Sequence, residues 1–402
     1  MIHRLLPGFI SALALLLLAA CSSSRPPATT TIPGQWPTTV DTSYRGVGGV
    51  FPRPPALEPQ IAFWRNVYSV WGLSQVALHD DRYMNIVYEI IDLPGGAYES
   101  YTPEQQDLIR SRKDAWKYRL QMVQSKLASG LTLDADDKAL IAYITRIGGT
   151  NAIYGASERL RAQRGQRERF KRGLEISGRY DARFRDIFRR AGLPEDLAYL
   201  PHVESSFRSQ VRSSAGAVGV WQFTRSAAQR FMTVNAAVDE RLDPVASAQG
   251  AARYLSYAHG LLGSWPLTVT SYNHGIGGMQ RAKDYHGTDF VQIINDYDHP
   301  QFGFASRNFY TEFLAARDIA SQPQRFFPEG LRYEQPLSWE RVVLKESMPV
   351  STIARYYGVD RAELIALNSA WTDAADADRV PVPAGTGVWL PSGTLSHGVA
   401  QQ

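Results

Sequence analysis

The chain has 402 residues, of which 44% are hydrophobic and 20% charged, the ordinary balance of a globular protein. At roughly 100–200 residues per domain it has room for two or three folded units. A single cysteine, Cys21, excludes an intrachain disulfide, and a net charge of +4 is too mild to argue for nucleic acid as a partner.

Residues 1–20 carry His3 and Arg4, an apolar run from Leu13 to Leu18, and the small residues Ala19 and Ala20. That is a charged start, a short apolar stretch and a cleavage site, too short to read as a membrane span. Leu18-Ala19-Ala20-Cys21 resembles the bacterial lipobox, in which cleavage leaves the cysteine N-terminal and diacylated. The resemblance implies a signal peptide over 1–20 and an envelope lipoprotein anchored in a membrane through Cys21. Ser22 after the cysteine implies sorting to the inner leaflet of the outer membrane, facing the periplasm. Residues 21–59 are rich in Ser, Thr, Pro and Gly and read as a flexible tether.

Residues 60–189 read as a helical N-terminal region without strands. Phe63, Val67, Val70, Trp71 and Val76 form one apolar series. Thr102-Pro103-Glu104 reads as an N-cap, a proline at the first helical position and an acid in the first turn. Asp134 opens another helix, which Gly148-Gly149 should close. The arginine-rich stretch from Arg159 to Arg190 has interleaved acids and no aromatic series, so it reads as a solvated face rather than a nucleic-acid surface.

The chemistry-bearing residues fall in 190–330, again mainly helical. Leu193-Pro194-Glu195 opens a helix whose buried face is Leu197, Leu200 and Val203, with Pro201 expected to kink or shorten it. Glu204 then lies at an apolar helix end. Burial there would raise its pKa, and a carboxylic acid that stays protonated near neutral pH is what general-acid cleavage of a glycosidic bond requires. Next comes SSAGAVGVWQF, with Ser213, Gly216, Gly219, Trp221 and Gln222. The glycines permit sharp turns and close approach of a polymer. Trp221 reads as a platform for a sugar ring, and Gln222 offers both a donor and an acceptor. The third segment, Thr270 to Gly278, holds Tyr272, Asn273 and His274. No partner of His274 stands at metal-ligand spacing, so neither a metal nor an organic cofactor is expected.

Glu204-Ser205, then Gly-x-x-Gly-x-Trp-Gln, then Tyr-Asn-x-Gly, within about 75 residues, resembles the lytic transglycosylases of the goose-type lysozyme-like superfamily, in particular the membrane-bound lytic murein transglycosylase D group. The resemblance implies a mainly α fold with a lysozyme-like catalytic domain. Its substrate would be the glycan strand of peptidoglycan. By it Glu204 is the catalytic acid, and Ser213, Gln222, Tyr272 and Asn273 line the sugar site. The chain departs from the family at Thr224-Arg225, where many relatives have Met-Pro, and at Ala305-Ser306-Arg307, where many have Glu-Thr-Arg. Only one carboxyl, Glu204, sits inside a constellation; Asp239 and Glu240 beside Arg241 read as a capping and charge-pair cluster. The family chemistry is acid then base action by that one carboxyl, closing a 1,6-anhydro ring. A hydrolytic lysozyme-type enzyme and a non-catalytic wall-binding lipoprotein are the alternatives.

Residues 336–392 read as a small α+β module in the order strand, helix, helix, strand. The helices are expected over Val350–Tyr357 and Arg361–Leu367 and the closing strand over Val388–Pro391. VSTIARYYGVDRAELIALN and GVWLP resemble a LysM module with a divergent opening. The resemblance implies glycan binding; the alternative is a structural cap.

Overall fold

In the computed structural model, Tyr44, Gly46 and residues 48–398 are described. The signal peptide, Cys21 and most of the tether expected from the sequence lie outside the described residues.

The fold is mostly helical. It opens with α1 (Glu58–Ser69), followed by β1 (Gln75–Asp80) and β2 (Val87–Asp92). Then come α2 (Pro103–Ala128), α3 (Ala135–Gly148) and β3 (Leu160–Arg164). Both expected starts are present: Thr102 forms a capping box with Gln105 ahead of α2, and Asp134 forms one with Asp137 ahead of α3.

The strands correct the expectation of an all-helical 60–189. β1 pairs antiparallel with β2 on one side and β3 on the other, in the order β2-β1-β3. Val76 to Asp80 are all buried, so this central strand has no polar face and no alternation to betray it. The series from Phe63 to Val76 is likewise split: α1 ends at Ser69, Val70 is exposed, and Val76 belongs to β1. The sheet, α2 and α3 enclose a core of their own around Leu78, Tyr88, Trp116 and Ile144.

The second half runs through α4 (Arg167–Ser177), α5 (Asp181–Arg190), α6 (Leu200–Glu204), α7 (Arg225–Ala228), α8 (Pro244–Leu262) and α9 (Trp265–His274). It continues with α10 (Ile276–His286), α11 (Phe290–Asp296), α12 (Phe304–Ser321) and α13 (Pro323–Phe326). Its core is continuous with α1, whose Ile61, Phe63, Trp64, Val67 and Tyr68 are all buried. α1 therefore belongs to the second half in packing, lying along α12. Trp64 Nε1 donates to Asn308 Oδ1 across that contact at 3.1 Å.

The arginines from Arg159 onward are largely engaged within the molecule. Arg159 pairs with Asp80, Arg167 with Glu329, Arg172 with Glu334 and Arg185 with Asp181.

The C-terminal module has β4 (Glu340–Val343), α14 (Val350–Tyr357), α15 (Arg361–Leu367), α16 (Asp373–Asp376) and β5 (Gly387–Leu390), with β4 and β5 antiparallel. It is docked rather than dangling. Trp389 Nε1 donates to Asp243 Oδ2 at 2.8 Å, and Val238 bridges to Trp371. The backbone N–H of Asp239 donates to the Ala370 carbonyl at 2.7 Å.

Candidate active site

Glu204 is the last residue of a one-turn helix. Residues 195–199 form a 3-10 turn, and α6 begins only at Leu200, with Pro201 in its first turn. Pro201 was expected to kink or shorten the helix; it sits in the first turn of a helix only five residues long, where its missing N–H costs nothing. Just after Glu204 the backbone turns hard: Ser206 and Phe207 have φ of 50° and 59°. Among the described residues four non-glycines have positive φ, and Gln222, at 48°, is a third in this site. Such strain persists only where packing over-determines it, and it clusters at functional sites. Packing is indeed close here, since a Cβ on Gly173 of α4 would meet the Ser206 carbonyl oxygen at 2.9 Å.

The loop of residues 211–223 is tied to this turn. Ser205 Oγ donates to the Val220 carbonyl at 2.8 Å. Gly219 has φ of 79°, and a Cβ there would come within 2.0 Å of the Arg241 carbonyl oxygen, so only glycine fits. Arg241 is clamped by Asp239 (Nη2 to Oδ2, 2.7 Å) and donates to the Gly216 and Phe223 carbonyls. The Asp239 cluster is therefore a brace beneath the loop. Gln222 donates through Nε2 to the Val211 and Gly219 carbonyls at 3.0 and 2.8 Å, which fixes its carboxamide.

A groove of about 510 Å³ runs past this loop, lined by Gln222, Phe223, Arg230, Tyr254, Tyr272 and Asn273 among others. Tyr272, on α9, donates its hydroxyl to the Trp221 carbonyl at 2.9 Å. Asn273 is exposed and accepts through Oδ1 from Ser306 Oγ at 2.8 Å. Ser306 therefore occupies part of the ground where the sequence departs from the family's Glu-Thr-Arg. His274 is half-buried against Phe302 and Tyr297, and burial lowers its pKa.

Two expectations are corrected. Trp221 is fully buried against Phe184 and Phe188, with centroids 5.2 and 5.7 Å away, and offers no face to a sugar. Its size and aromaticity suit a core as well as a groove, and sequence cannot separate the two. Ser213 is exposed at a turn, where its Oγ accepts from the Ala217 N–H at 3.0 Å, and it is not on the groove wall.

Glu204 is half-buried and lies next to the groove rather than on its wall. Burial, with a further push from the negative charge of Glu312, raises its pKa to about 8. Glu312 is the residue that sequence reasoning missed. It lies on α12 and is half-buried, and burial raises its pKa to about 7 against the opposing pull of a hydrogen bond from Tyr68. Tyr68 comes from α1, and its hydroxyl donates to Glu312 Oε2 at 3.0 Å. Tyr68 stacks on Phe170 (4.9 Å between centroids) and Phe170 on His202 (5.0 Å), two residues before Glu204. Burial holds the pKa of His202 at about 3, so it is a neutral ring and not a proton donor. The phenol of Tyr272 is raised well above its usual value by burial and then by the charge of Glu204, which marks the two as neighbours. Nothing in the run around Glu312 (RNFYTEFLAA) distinguishes that carboxyl from a surface glutamate; its only signal was its place on a helix otherwise rich in apolar residues.

Among the described residues no cluster of three or more His, Cys, Asp or Glu is arranged to hold a metal, and no helix is long and apolar enough to cross a membrane.

Residues 187–293 match the family model of the transglycosylase SLT domain, so the groove, Glu204, the Gly219 loop and Tyr272 all fall inside one matched segment. That match places the site in a segment similar to SLT-type transglycosylase domains. Among curated proteins it is similar to the membrane-bound lytic murein transglycosylase D of Escherichia coli strain K12, 26% identical over 188 residues, 45% of this chain and 40% of that one. The corresponding protein of Escherichia coli O6:H1 matches with the same figures. The chain thus spans about two fifths of the length of these relatives. Among solved structures it resembles an inactive mutant of the lytic transglycosylase Slt from Pseudomonas aeruginosa, with 18% identity over 55% of this chain and 34% of the other, at a TM-score of 0.32.

Proposed function

We propose that the chain is a peptidoglycan lytic transglycosylase in which Glu204 acts first as acid and then as base. The observation that carries this reading is a single one: a half-buried carboxyl with a pKa of about 8, at a strained helix end beside a groove, within the SLT-matched segment. At neutral pH Glu204 holds its proton and passes it to the oxygen joining C1 of N-acetylmuramic acid to the next N-acetylglucosamine. The C1–O bond breaks, and the 2-acetamido oxygen stabilises the positive charge developing at C1. Glu204, now a carboxylate, removes the proton from the muramoyl 6-hydroxyl as O6 bonds to C1, closing the 1,6-anhydro ring. No water is consumed.

In this reading Gln222 and Tyr272 hold the sugar in the groove, and Asn273 braces its floor through Ser306. The lipobox-like run ending at Cys21 supports a lipid anchor, with Ser22 favouring the outer membrane; a tether would let the folded residues reach the wall, and it would end short of the expected residue 59, since Phe51 is buried and Arg53 pairs with Asp318. The module over 336–392 resembles LysM, yet its docking through Trp371 and Trp389 supports a role as a structural cap on the braced loop.

A second reading, hydrolysis, is favoured by one observation. Glu312 gives the site a second carboxyl, and ordinary glycosidases use two. Mass spectrometry of digested peptidoglycan separates the readings. Anhydro-muropeptides absent from a Glu204→Gln digest support transglycosylation; reducing-end products alone mean a muramidase, and neither product means a binding protein.

A further inference from the structure

The two carboxyls differ in how they are held. Glu312 Oε2 receives the Tyr68 hydroxyl at 3.0 Å, whereas among the described residues no donor stands within hydrogen-bonding distance of the Glu204 carboxyl. A donated hydrogen bond favours the ionised form of its acceptor, and two adjacent carboxylates resist carrying charge together. We propose that Glu312, oriented by Tyr68, is a positioning residue for glycan cleavage: it is the member of the pair that carries the negative charge, and that charge keeps the proton on Glu204 until the sugar bridge takes it. The inference rests on the reading of Glu204 as the acid.

The surroundings leave this pair to itself. From α1 the facing group is Tyr68; from α9 it is Tyr272, whose hydroxyl is committed to the Trp221 carbonyl. From α6 comes His202, a neutral ring, and from α4 the hydrocarbon face of Phe170. The arginines on these and adjoining elements turn to other carboxylates. Arg167 pairs with Glu329, Arg169 with Glu99, Arg185 with Asp181, Arg307 with Asp81 and Arg317 with Asp196. Among the described residues no cation is among the charges acting on Glu204 or Glu312.

The arrangement serves both halves of the reaction. Before cleavage, a negative Glu312 holds Glu204 protonated at neutral pH. Once Glu204 has released its proton to the leaving oxygen, the site contains two carboxylates. That repulsion makes Glu204 a stronger base for the proton of the muramoyl 6-hydroxyl, and taking it restores the starting state. Tyr68 makes α1, which lies outside the SLT-matched segment, part of the catalytic machinery, and Glu312 lies outside that segment too.

The test uses the full chain with Glu312→Gln, Tyr68→Phe, Glu312→Asp and Glu204→Gln. Two measurements are made: release of soluble muropeptides from purified peptidoglycan between pH 5 and pH 10 (assay limits set at about these values to span both carboxyls), and the NMR titration of the Glu204 carboxyl carbon. Wild type should lose activity as pH rises through the Glu204 value. In Glu312→Gln the upper limb and the NMR midpoint should both move down by about one unit, with kcat near pH 8 falling about fivefold and KM little changed. Tyr68→Phe should move them the same way by less, and Glu312→Asp should recover most of the shift. An upper limb and a midpoint unmoved in both Glu312→Gln and Tyr68→Phe would overturn the proposal, and if Glu312→Gln does not fold, Tyr68→Phe alone decides it. A wild type that releases nothing, or a Glu204→Gln protein as active as wild type, sinks the transglycosylase reading instead. The NMR midpoints still report on the coupling in that event.

Discussion

The same two helices, α1 and α12, carry carboxyls at two places and treat them in opposite ways. At one place Glu58 and Asp318 are met by Arg53 and Arg65. Arg53 Nη1 lies 2.9 Å from Asp318 Oδ2, Arg65 Nη1 lies 3.1 Å from it, and both arginines also pair with Glu58. At the other place, two turns earlier on α12, Glu312 and its neighbour Glu204 are met by a phenol and by aromatic rings. The first cluster has its charges neutralised within the fold and pins the N-terminal segment to α12. The second is denied counter-ions, and burial raises the pKa of both its carboxyls. A fold can stabilise a carboxylate with guanidinium groups, or keep it reactive by withholding them, and here one helix pair does both.

The contrast can be broken most sharply at Glu204. Glu204→Gln should lower lytic activity by about 10³-fold or more while the protein stays folded, because general-acid catalysis is removed and little else changes. The same change should separate the clusters by their pH response. A carboxyl whose pKa is raised in the fold favours the folded state below its unfolded value, and that contribution is lost as pH rises through the folded one. Wild-type Tm should therefore fall between about pH 5 and pH 9, and Glu204→Gln should fall less; a parallel decline would argue that Glu204 is solvated.

Asp318→Ala strikes the paired cluster. It leaves Arg53 and Arg65 with a lost partner in a buried setting, and should cost about 3–5 kcal/mol in urea unfolding. The upper limb of the pH–rate profile should not move, since Asp318 is not among the charges acting on Glu204. Gly219→Ala comes next: a methyl at φ 79° against the Arg241 carbonyl should cost about 1–3 kcal/mol and lower activity by displacing Gln222. The smallest effect expected is that of Tyr272→Phe. Losing one hydrogen bond to the Trp221 carbonyl should cost about 1 kcal/mol, and muropeptide release should show a raised KM rather than a lost kcat.

Much of this was legible before any coordinates. The starts of α2 and α3 were written in Thr102-Pro103 and Asp134, because caps are local and each satisfies its own backbone. α14 and α15 fell on their expected residues for the same reason, ended by Gly358 in the left-handed region and started by Asp360 as a cap. Three segments of the site were recognisable as a pattern, and Gln222, Tyr272 and Asn273 do meet at one groove. The strands were not legible, because β1 is buried on both faces and its run of apolar residues reads the same as buried helix. Trp221 was assigned to the groove from its chemistry and Ser213 from the family resemblance, and the side on which they lie is not written in their identity.

The sequence by itself determined the local turns, the capped helices, the three polar motifs and the identity of Glu204 as the residue to watch. Tertiary structure alone decided that Tyr68 and Glu312, 244 residues apart, share a hydrogen bond beside Glu204. The reason is physical. Caps and turns are satisfied by neighbours within a few residues, so their chemistry is spelled out in order along the chain. The protonation state of a carboxyl is set by whatever charge and solvent surround it, and only packing brings those together.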